Sequence, residues 1–201
     1  MFSRFLSFLL LIVFSPILIL TSLIIFIEDG FPIIFKQQRV GLNRKIFWIY
    51  KFRSMKKNTP NVSKQSLQDP SSYYLNCGLF IRDFSIDELP NLINILKGEM
   101  NFIGPRPALY NEYELIDKRE QLGVNNLKPG ITGWAQVNGR DYLTNEIKCK
   151  YDKEYLDNKS FLFNMRIFLF TFWAVAKPIY IWFKRKFQNF TFILIFILHI
   201  D

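Results

Sequence analysis

Phe5-Leu6-Ser7-Phe8-Leu9-Leu10-Leu11-Ile12-Val13-Phe14-Ser15-Pro16-Ile17-Leu18-Ile19-Leu20-Thr21-Ser22-Leu23-Ile24-Ile25-Phe26-Ile27 runs without one charged side chain. As a continuous helix it is roughly 35 Å long, against about 30 Å of bilayer hydrocarbon. It is too long for a cleavable leader, and no small-residue cleavage site follows it. Two topologies remain open. A straight helix spans. A broken one enters and returns to the same side. Pro16 removes one backbone donor at mid-segment and bends the helix, and Ser15 offers a hydroxyl to the freed carbonyl. Arg4 precedes the run, and Lys36, Arg39, Arg44, Lys45, Lys51, Arg53, Lys56 and Lys57 follow it, so both ends carry the positive charge that favours the cytoplasm.

The remaining composition fits a membrane-seated protein. Half of the 201 residues are hydrophobic, 22 are Phe, and the net charge is +9. Disorder is excluded, and anionic partners are favoured. Cys77 and Cys149 have no ligand-pair spacing, which argues against a disulfide framework or a zinc site and fits a reducing compartment. The only histidine is His199, so acid–base or nucleophilic chemistry falls to carboxylates, Lys, Tyr or Ser.

Residues 33–39 and 45–52 are rich in Ile, Phe, Trp and Tyr and flank Val40-Gly41-Leu42-Asn43, a hairpin pattern. No acidic residue lies between Asp29 and Asp69, so the hairpin is basic. It can serve as a collar on lipid headgroups, as a phosphate-handling surface, or as both. Residues 58–76 read as a polar loop.

In Arg82-Asp83-Phe84-Ser85-Ile86-Asp87-Glu88-Leu89-Pro90-Asn91-Leu92-Ile93-Asn94-Ile95-Leu96-Lys97-Gly98, apolar residues recur at helical spacing and Gly98 is a stop. Pro90 confines the helix start to Asp87 as cap, or to Ser85 as cap with Asp87 in the first turn. Read alone, Ser85-x-x-Glu88 is a capping box and the acidic pair has a purely structural role. Gly104-Pro105-Arg106-Pro107 is a rigid turn presenting a guanidinium. Lys128 to Arg140 holds Gly130, Gly133 and Gly139 among Thr132, Trp134 and Gln136, either a structural turn or a loop where backbone meets a ligand. Phe161 to Phe183 is aromatic and ends in Lys177, Lys184, Arg185 and Lys186, an interfacial-helix pattern with Pro178 as a break. The apolar run Phe190 to Ile200 is too short to span.

Taken in order, Ser15-Pro16, Phe35-Lys36-Gln37-Gln38-Arg39-Val40-Gly41, Ile49-Tyr50-Lys51-Phe52-Arg53-Ser54-Met55, Arg82 with Asp87-Glu88-Leu89-Pro90, Gly98-Glu99-Met100 through Gly104-Pro105-Arg106-Pro107, and Lys128 to Arg140 resemble the bacterial sugar transferase family, the monotopic phosphoglycosyl transferases. The resemblance runs from about Phe2 to Ile181. It implies an α+β, mainly α fold with three regions. These are a re-entrant membrane helix (1–30), a cytosolic catalytic domain with the basic hairpin (31–160), and interfacial amphipathic helices with an apolar tail (161–201).

The implied reaction moves a sugar-1-phosphate from a nucleotide-sugar, by family habit a UDP-sugar, to polyprenyl (undecaprenyl) phosphate. This is the first membrane step of a capsule, exopolysaccharide or lipopolysaccharide. Asp87 is the implied nucleophile and metal ligand, with Mg²⁺ required and Glu88 a metal or proton-handling partner. Arg82 and Arg106 lie near the phosphates in that scheme, and Lys51, Arg53 and Arg140 are assigned with them. Gly130, Thr132, Gly133, Trp134 and Gln136 form the nucleotide or sugar loop, and Ser15 and Pro16 the helix break. The implied location is the inner membrane, facing the cytoplasm.

An unperturbed aspartate titrates near 3.9, and a helix start lowers that further. Two departures stand out: Ser3 occupies the place of a family Asp, and the Phe-rich tail after Ile181 has no counterpart. A non-catalytic membrane anchor or scaffold explains the helix and the collar but not the ordered motifs. No nucleic-acid reading motif accompanies the charge, and the sequence leaves a homodimer open.

Overall fold

The computed structural model describes residues 1–60, 69–139, 142–174 and 176. The long apolar run is two helices, α1 (Phe2–Val13) and α2 (Ser15–Asp29), bent by 60° where Phe14 joins them. Pro16 stands in the first turn of α2 and cannot donate to the carbonyl of Ile12, four residues back. Ser15 Oγ donates to that carbonyl instead, at 2.7 Å. Among the described residues no single helix is long and apolar enough to cross a membrane; only this bent pair is, taken together.

The outer faces of the pair leave Phe5, Phe8, Ile12, Ile19, Leu20, Leu23 and Ile27 exposed. The inner faces carry the packing. Leu10, Leu11 and Phe14 sit on a core of Phe47, Ile49, Leu92, Ile95 and Met100. Ile25 of α2 is fully buried with Phe52, Leu75 and Ile81.

The hairpin is β1 (Ile34–Val40) against β2 (Ile46–Phe52), antiparallel, with Lys36 opposite Tyr50 and a 3-10 turn at Leu42–Arg44. Phe47 and Ile49 point inward while Trp48 points out, the period-2 alternation of a half-buried strand. Next come α3 (Gly78–Asp83), a 3-10 turn at Ile86–Glu88, and α4 (Asn91–Lys97), which ends at Gly98 in the left-handed conformation (φ 85°).

The helix start departs from the capping expectation. Ser85 is itself left-handed (φ 56°), makes no side-chain capping bond, and leads into the 3-10 turn. Helix α4 proper begins beyond the acidic pair, with Pro90 at its N-cap. The capping box is not formed, and the carboxylates are left for other partners.

β3 (Asn101–Ile103) pairs in parallel with β4 (Gly130–Thr132), across a connection holding α5 (Tyr113–Gln121). Then follow α6 (Trp134–Val137), α7 (Asn145–Asn158) and an apolar helix α8 (Phe161–Ala174). The fold is mainly helical with these two small sheets. Lys177, Pro178, Lys184, Arg185, Lys186, His199 and the apolar tail lie outside the described residues, as do 61–68 of the expected polar loop.

The glycines of the two loops meet each other. A β-carbon on Gly133 would lie 2.1 Å from the carbonyl oxygen of Gly104, and one on Gly130 would lie 2.2 Å from the Gly104 nitrogen. Neither clash can be relieved by rotating a side chain. Gly133→Ala is expected to destabilise the protein by about 3 kcal/mol, seen as a lowered Tm; an unchanged Tm would show that the two backbones can separate without loss.

Candidate active site

Three elements converge on Asp87 and Glu88. The 3-10 turn holds both carboxylates, β2 supplies Lys51, and the turn after β3 supplies Arg106. Lys51 Nζ donates to Glu88 Oε1 at 2.6 Å, and Arg106 Nη1 approaches the same oxygen at 3.4 Å. Burial alone would raise the Glu88 carboxyl, but Lys51 and Arg106 outweigh it and hold the group down at about 2. Lys51 is pushed below its ordinary value, chiefly by burial.

Asp87 is different. It is 8% exposed, and no hydrogen bond holds its carboxylate among the described residues. Burial pushes its carboxyl up to about 6, with Glu88 adding to the rise while Lys51, Arg82 and Arg106 oppose it. This reverses the sequence expectation of a carboxylate at or below 3.9. Removal from water outweighs the nearby cations, and a 3-10 turn lends little dipole. Even so, the ionised form dominates at neutral pH.

The cations are themselves fixed. Asn94, fully buried on α4, accepts from the Tyr50 backbone N–H (3.2 Å) and donates to the Trp48 carbonyl (2.6 Å). That clamp locks α4 to the free edge of β2 and so sets Lys51 against Glu88. Arg119 Nη1 donates to the Arg106 carbonyl at 2.9 Å, and Arg39 Nη1 to the Pro107 carbonyl at 3.0 Å. Arg119 in turn holds Asp152 of α7 through Nε at 2.9 Å and Nη2 at 2.6 Å, both side chains deeply buried. Arg82 leans on the Tyr74 ring at 5.5 Å and reaches Asp87 only through its field.

The other assigned residues lie elsewhere. Arg53 is buried at the end of α2, paired with Asp29 at 2.7 Å and donating to the Gly30 carbonyl at 2.7 Å. Trp134 packs among Tyr151, Phe163 and Phe170 with the Arg166 guanidinium over its ring. Thr132 Oγ1 bonds Thr171 Oγ1 at 2.7 Å, and Gln136 Nε2 donates to the Ile131 carbonyl at 2.8 Å. Gly130 and Gly133 lie against Gly104, two residues from Arg106, so this block backs the arginine turn. Arg140 lies outside the described residues.

Sequence reasoning gave no site role to Asn94, Arg119 or Asp152, and placed Arg39 in the basic hairpin and the family motif without its hold on the Pro107 carbonyl. Of the first three, only Asn94 carried a signal, as an amide on the apolar stripe beside Leu92 and Ile95.

Among the described residues no group of three or more His, Cys, Asp or Glu side chains could enclose a metal. The donor set still fits Mg²⁺, which typically takes one or two carboxylates and completes its shell with substrate phosphates and water. Asp87 and the Glu88 oxygen not bonded by Lys51 and Arg106 are the donors available.

The sequence profile of the bacterial sugar transferase family matches residues 1–178. The chain is 41% identical over 157 residues to "Uncharacterized sugar transferase EpsL" of Bacillus subtilis, covering 78% of this chain and 76% of that protein. It is 31% identical over 190 residues to "Exopolysaccharide production protein ExoY" of Sinorhizobium fredii, covering 87% and 84%. It is 38% identical over 176 residues to the "UDP-glucose:undecaprenyl-phosphate glucose-1-phosphate transferase" of Escherichia coli, covering 83% of this chain but 37% of that longer protein. The chain belongs to the bacterial sugar transferase family.

Arg119→Met leaves Asp152 buried without its partner and is expected to lower stability by about 3–5 kcal/mol. Adding Asp152→Leu should restore much of the Tm while transfer activity stays low, because the Arg106 carbonyl has lost its donor. Full activity in the double variant would show that this support is dispensable.

Proposed function

We propose that the chain transfers a sugar-1-phosphate from a nucleoside-diphosphate sugar, with UDP the favoured carrier, to polyprenyl phosphate at the cytoplasmic face of the bacterial inner membrane. The observation that carries this reading is the contrast within the acidic pair. Glu88 is consumed by Lys51 and Arg106, whereas Asp87 sits beside three cations with its oxygens uncommitted. Relatives named for undecaprenyl phosphate and sugar-1-phosphate transfer support the substrate classes.

The donor's diphosphate is drawn to Lys51, Arg82 and Arg106, which neutralise its oxygens and orient it. An Asp87 oxygen attacks the sugar-linked phosphorus. The bond to the bridging oxygen breaks, and its electron pair leaves with the nucleoside monophosphate. A phosphate oxygen of the polyprenyl acceptor then attacks the same phosphorus. The bond to Asp87 breaks, and the carboxylate is returned unchanged. Arg106 and Lys51 stay in place through both steps because Glu88 anchors them. Held near 2, Glu88 carries no proton at neutral pH, so we read it as a positioning residue rather than a proton carrier. Asp87 and Glu88 are the side chains that would hold Mg²⁺, which would supply Lewis acidity toward the phosphoryl oxygens when bound.

We infer a re-entrant seating for α1 and α2. Their 60° bend, the exposed apolar outer faces and the cationic residues at both ends support it. An alternative scaffold role gains no support from the buried, cation-lined carboxylate.

Asp87→Asn is expected to lower transfer by about a thousandfold or more and to abolish release of nucleoside monophosphate; substantial remaining transfer would remove Asp87 from the role. Because the nucleophile is the ionised form, kcat/KM for the donor should be lost as pH falls, at or below about 6, since a bound Mg²⁺ would hold the carboxyl down. Lys51→Met, which removes a charge that lowers Asp87, should move this limb upward; a profile flat to pH well below that range would contradict an ionising Asp87. Pro16→Leu is expected to straighten the helix pair and carry residues before the break to the opposite side, read by labelling of single cysteines near Ser3. Unchanged labelling would contradict the re-entrant seating.

A further inference from the structure

Across the hairpin from the acidic pair lies an open groove of about 450 Å³, lined by Phe31, Pro32, Ile34, Tyr50, Pro90 and Ile93. Its size falls within the range of ligand sites, roughly 300–1,000 Å³. Its walls are almost wholly apolar, and Lys36 is the only charged residue in the lining. Lys36 stands opposite Tyr50 in the hairpin register, with its Nζ 5.8 Å from the ring centre. Lys97, just outside this lining, places its Nζ 4.6 Å from the same ring and donates to the Tyr50 hydroxyl at 2.7 Å. Neither lysine lies within ion-pair distance of a carboxylate among the described residues. Arg4 adds a third cation to this end of α4, bonding the Lys97 carbonyl at 3.3 Å.

Successive strand residues face opposite sides of a sheet. Lys51 faces Glu88, so Tyr50 and Lys36 face away from it. The groove therefore opens on the opposite face of the hairpin from Lys51, with Pro90, two residues after Glu88, in its wall. An apolar slot with a two-lysine rim complements an amphiphile with an anionic head. We propose that it holds one anionic phospholipid, its phosphate between Lys36 and Lys97 and one acyl chain against Phe31, Ile34 and Ile93. The orientation away from Asp87 favours a phospholipid over the reacting acceptor, although both present a lipid phosphate. This proposal rests on the membrane-seated reading above and not on the transfer chemistry.

The test uses the full chain in neutral detergent, with Tm measured while phosphatidylglycerol, phosphatidylcholine or polyprenyl phosphate is added. Phosphatidylglycerol at saturation should raise Tm by about 5 °C, and phosphatidylcholine by much less. Lys36→Gln/Lys97→Gln should abolish that increment, and Ile93→Trp, which fills the slot, should abolish it with both lysines intact. Equal rises with both phospholipids, or an increment that survives in these variants, would overturn the proposal. So would a rise with polyprenyl phosphate alone, which would assign the groove to the acceptor. Failure of the membrane reading is separable: the chain would then stay monodisperse and active without detergent, before any lipid is added.

Discussion

Lys51 and Glu88 are 37 residues apart in the chain and 2.6 Å apart in space, in a site where both are largely out of water. Neither charge is tolerable there alone. An ammonium without Glu88 would lose its proton readily, and a carboxylate without Lys51 and Arg106 would be uncompensated. Their pairing fixes the electrostatics of everything near them. It commits Glu88 to two cations and leaves the adjacent carboxylate, one residue earlier in the turn, to carry its charge at the expense of burial. The two neighbours are driven apart, Glu88 held at about 2 by Lys51 and Arg106 and Asp87 pushed to about 6 chiefly by burial. Such a separation is what distinguishes a positioning group from a reacting one.

The rest of the molecule is arranged to hold that pair still. Asn94 fastens α4 to the edge of β2, and Ser7 Oγ of α1 donates to the Leu92 carbonyl of the same helix at 2.6 Å. The membrane-type helix is thus bonded directly to the element that follows the dyad. On the other side, Arg39 and Arg119 hold two successive carbonyls of the Arg106 turn, and the glycine contacts bring β3 and β4 close behind it. The acidic turn is thereby coupled to the packing of α1, because both join α4.

Some of this was legible in the sequence and some was not, for identifiable reasons. Ser15-Pro16 gave the break because proline's missing donor is a local fact, and the hairpin and the Gly98 stop were legible on the same footing. The helix start was misread. Ser85-x-x-Glu88 satisfies the capping pattern, but a tertiary ion pair from Lys51 claimed the glutamate. The glycines of 128–140 read either as a structural turn or as a loop against a ligand, and two of them, Gly130 and Gly133, lie against another backbone segment. Their partner was the Gly104 turn, because a sequence does not say which two segments meet. Arg53 was grouped with Lys51, yet it lies just past the end of β2, where the C-terminal end of α2 offers it Asp29 and the Gly30 carbonyl. The shift of Asp87 could not be read at all, since it depends on burial created by distant elements. Family membership rests on motif order, and that was legible before any coordinates.

The proposed chemistry requires an Asp87 carboxylate that is charged, free of protein partners and within reach of a phosphorus. The most direct measurement is isotope exchange without acceptor: purified enzyme, Mg²⁺ and nucleotide-sugar with labelled nucleoside monophosphate. If the carboxylate takes the phosphosugar reversibly, label enters the nucleotide-sugar in the complete absence of polyprenyl phosphate, and the exchange disappears in Asp87→Asn. Exchange that requires the lipid acceptor, or that persists without the Asp87 carboxylate, would contradict the account.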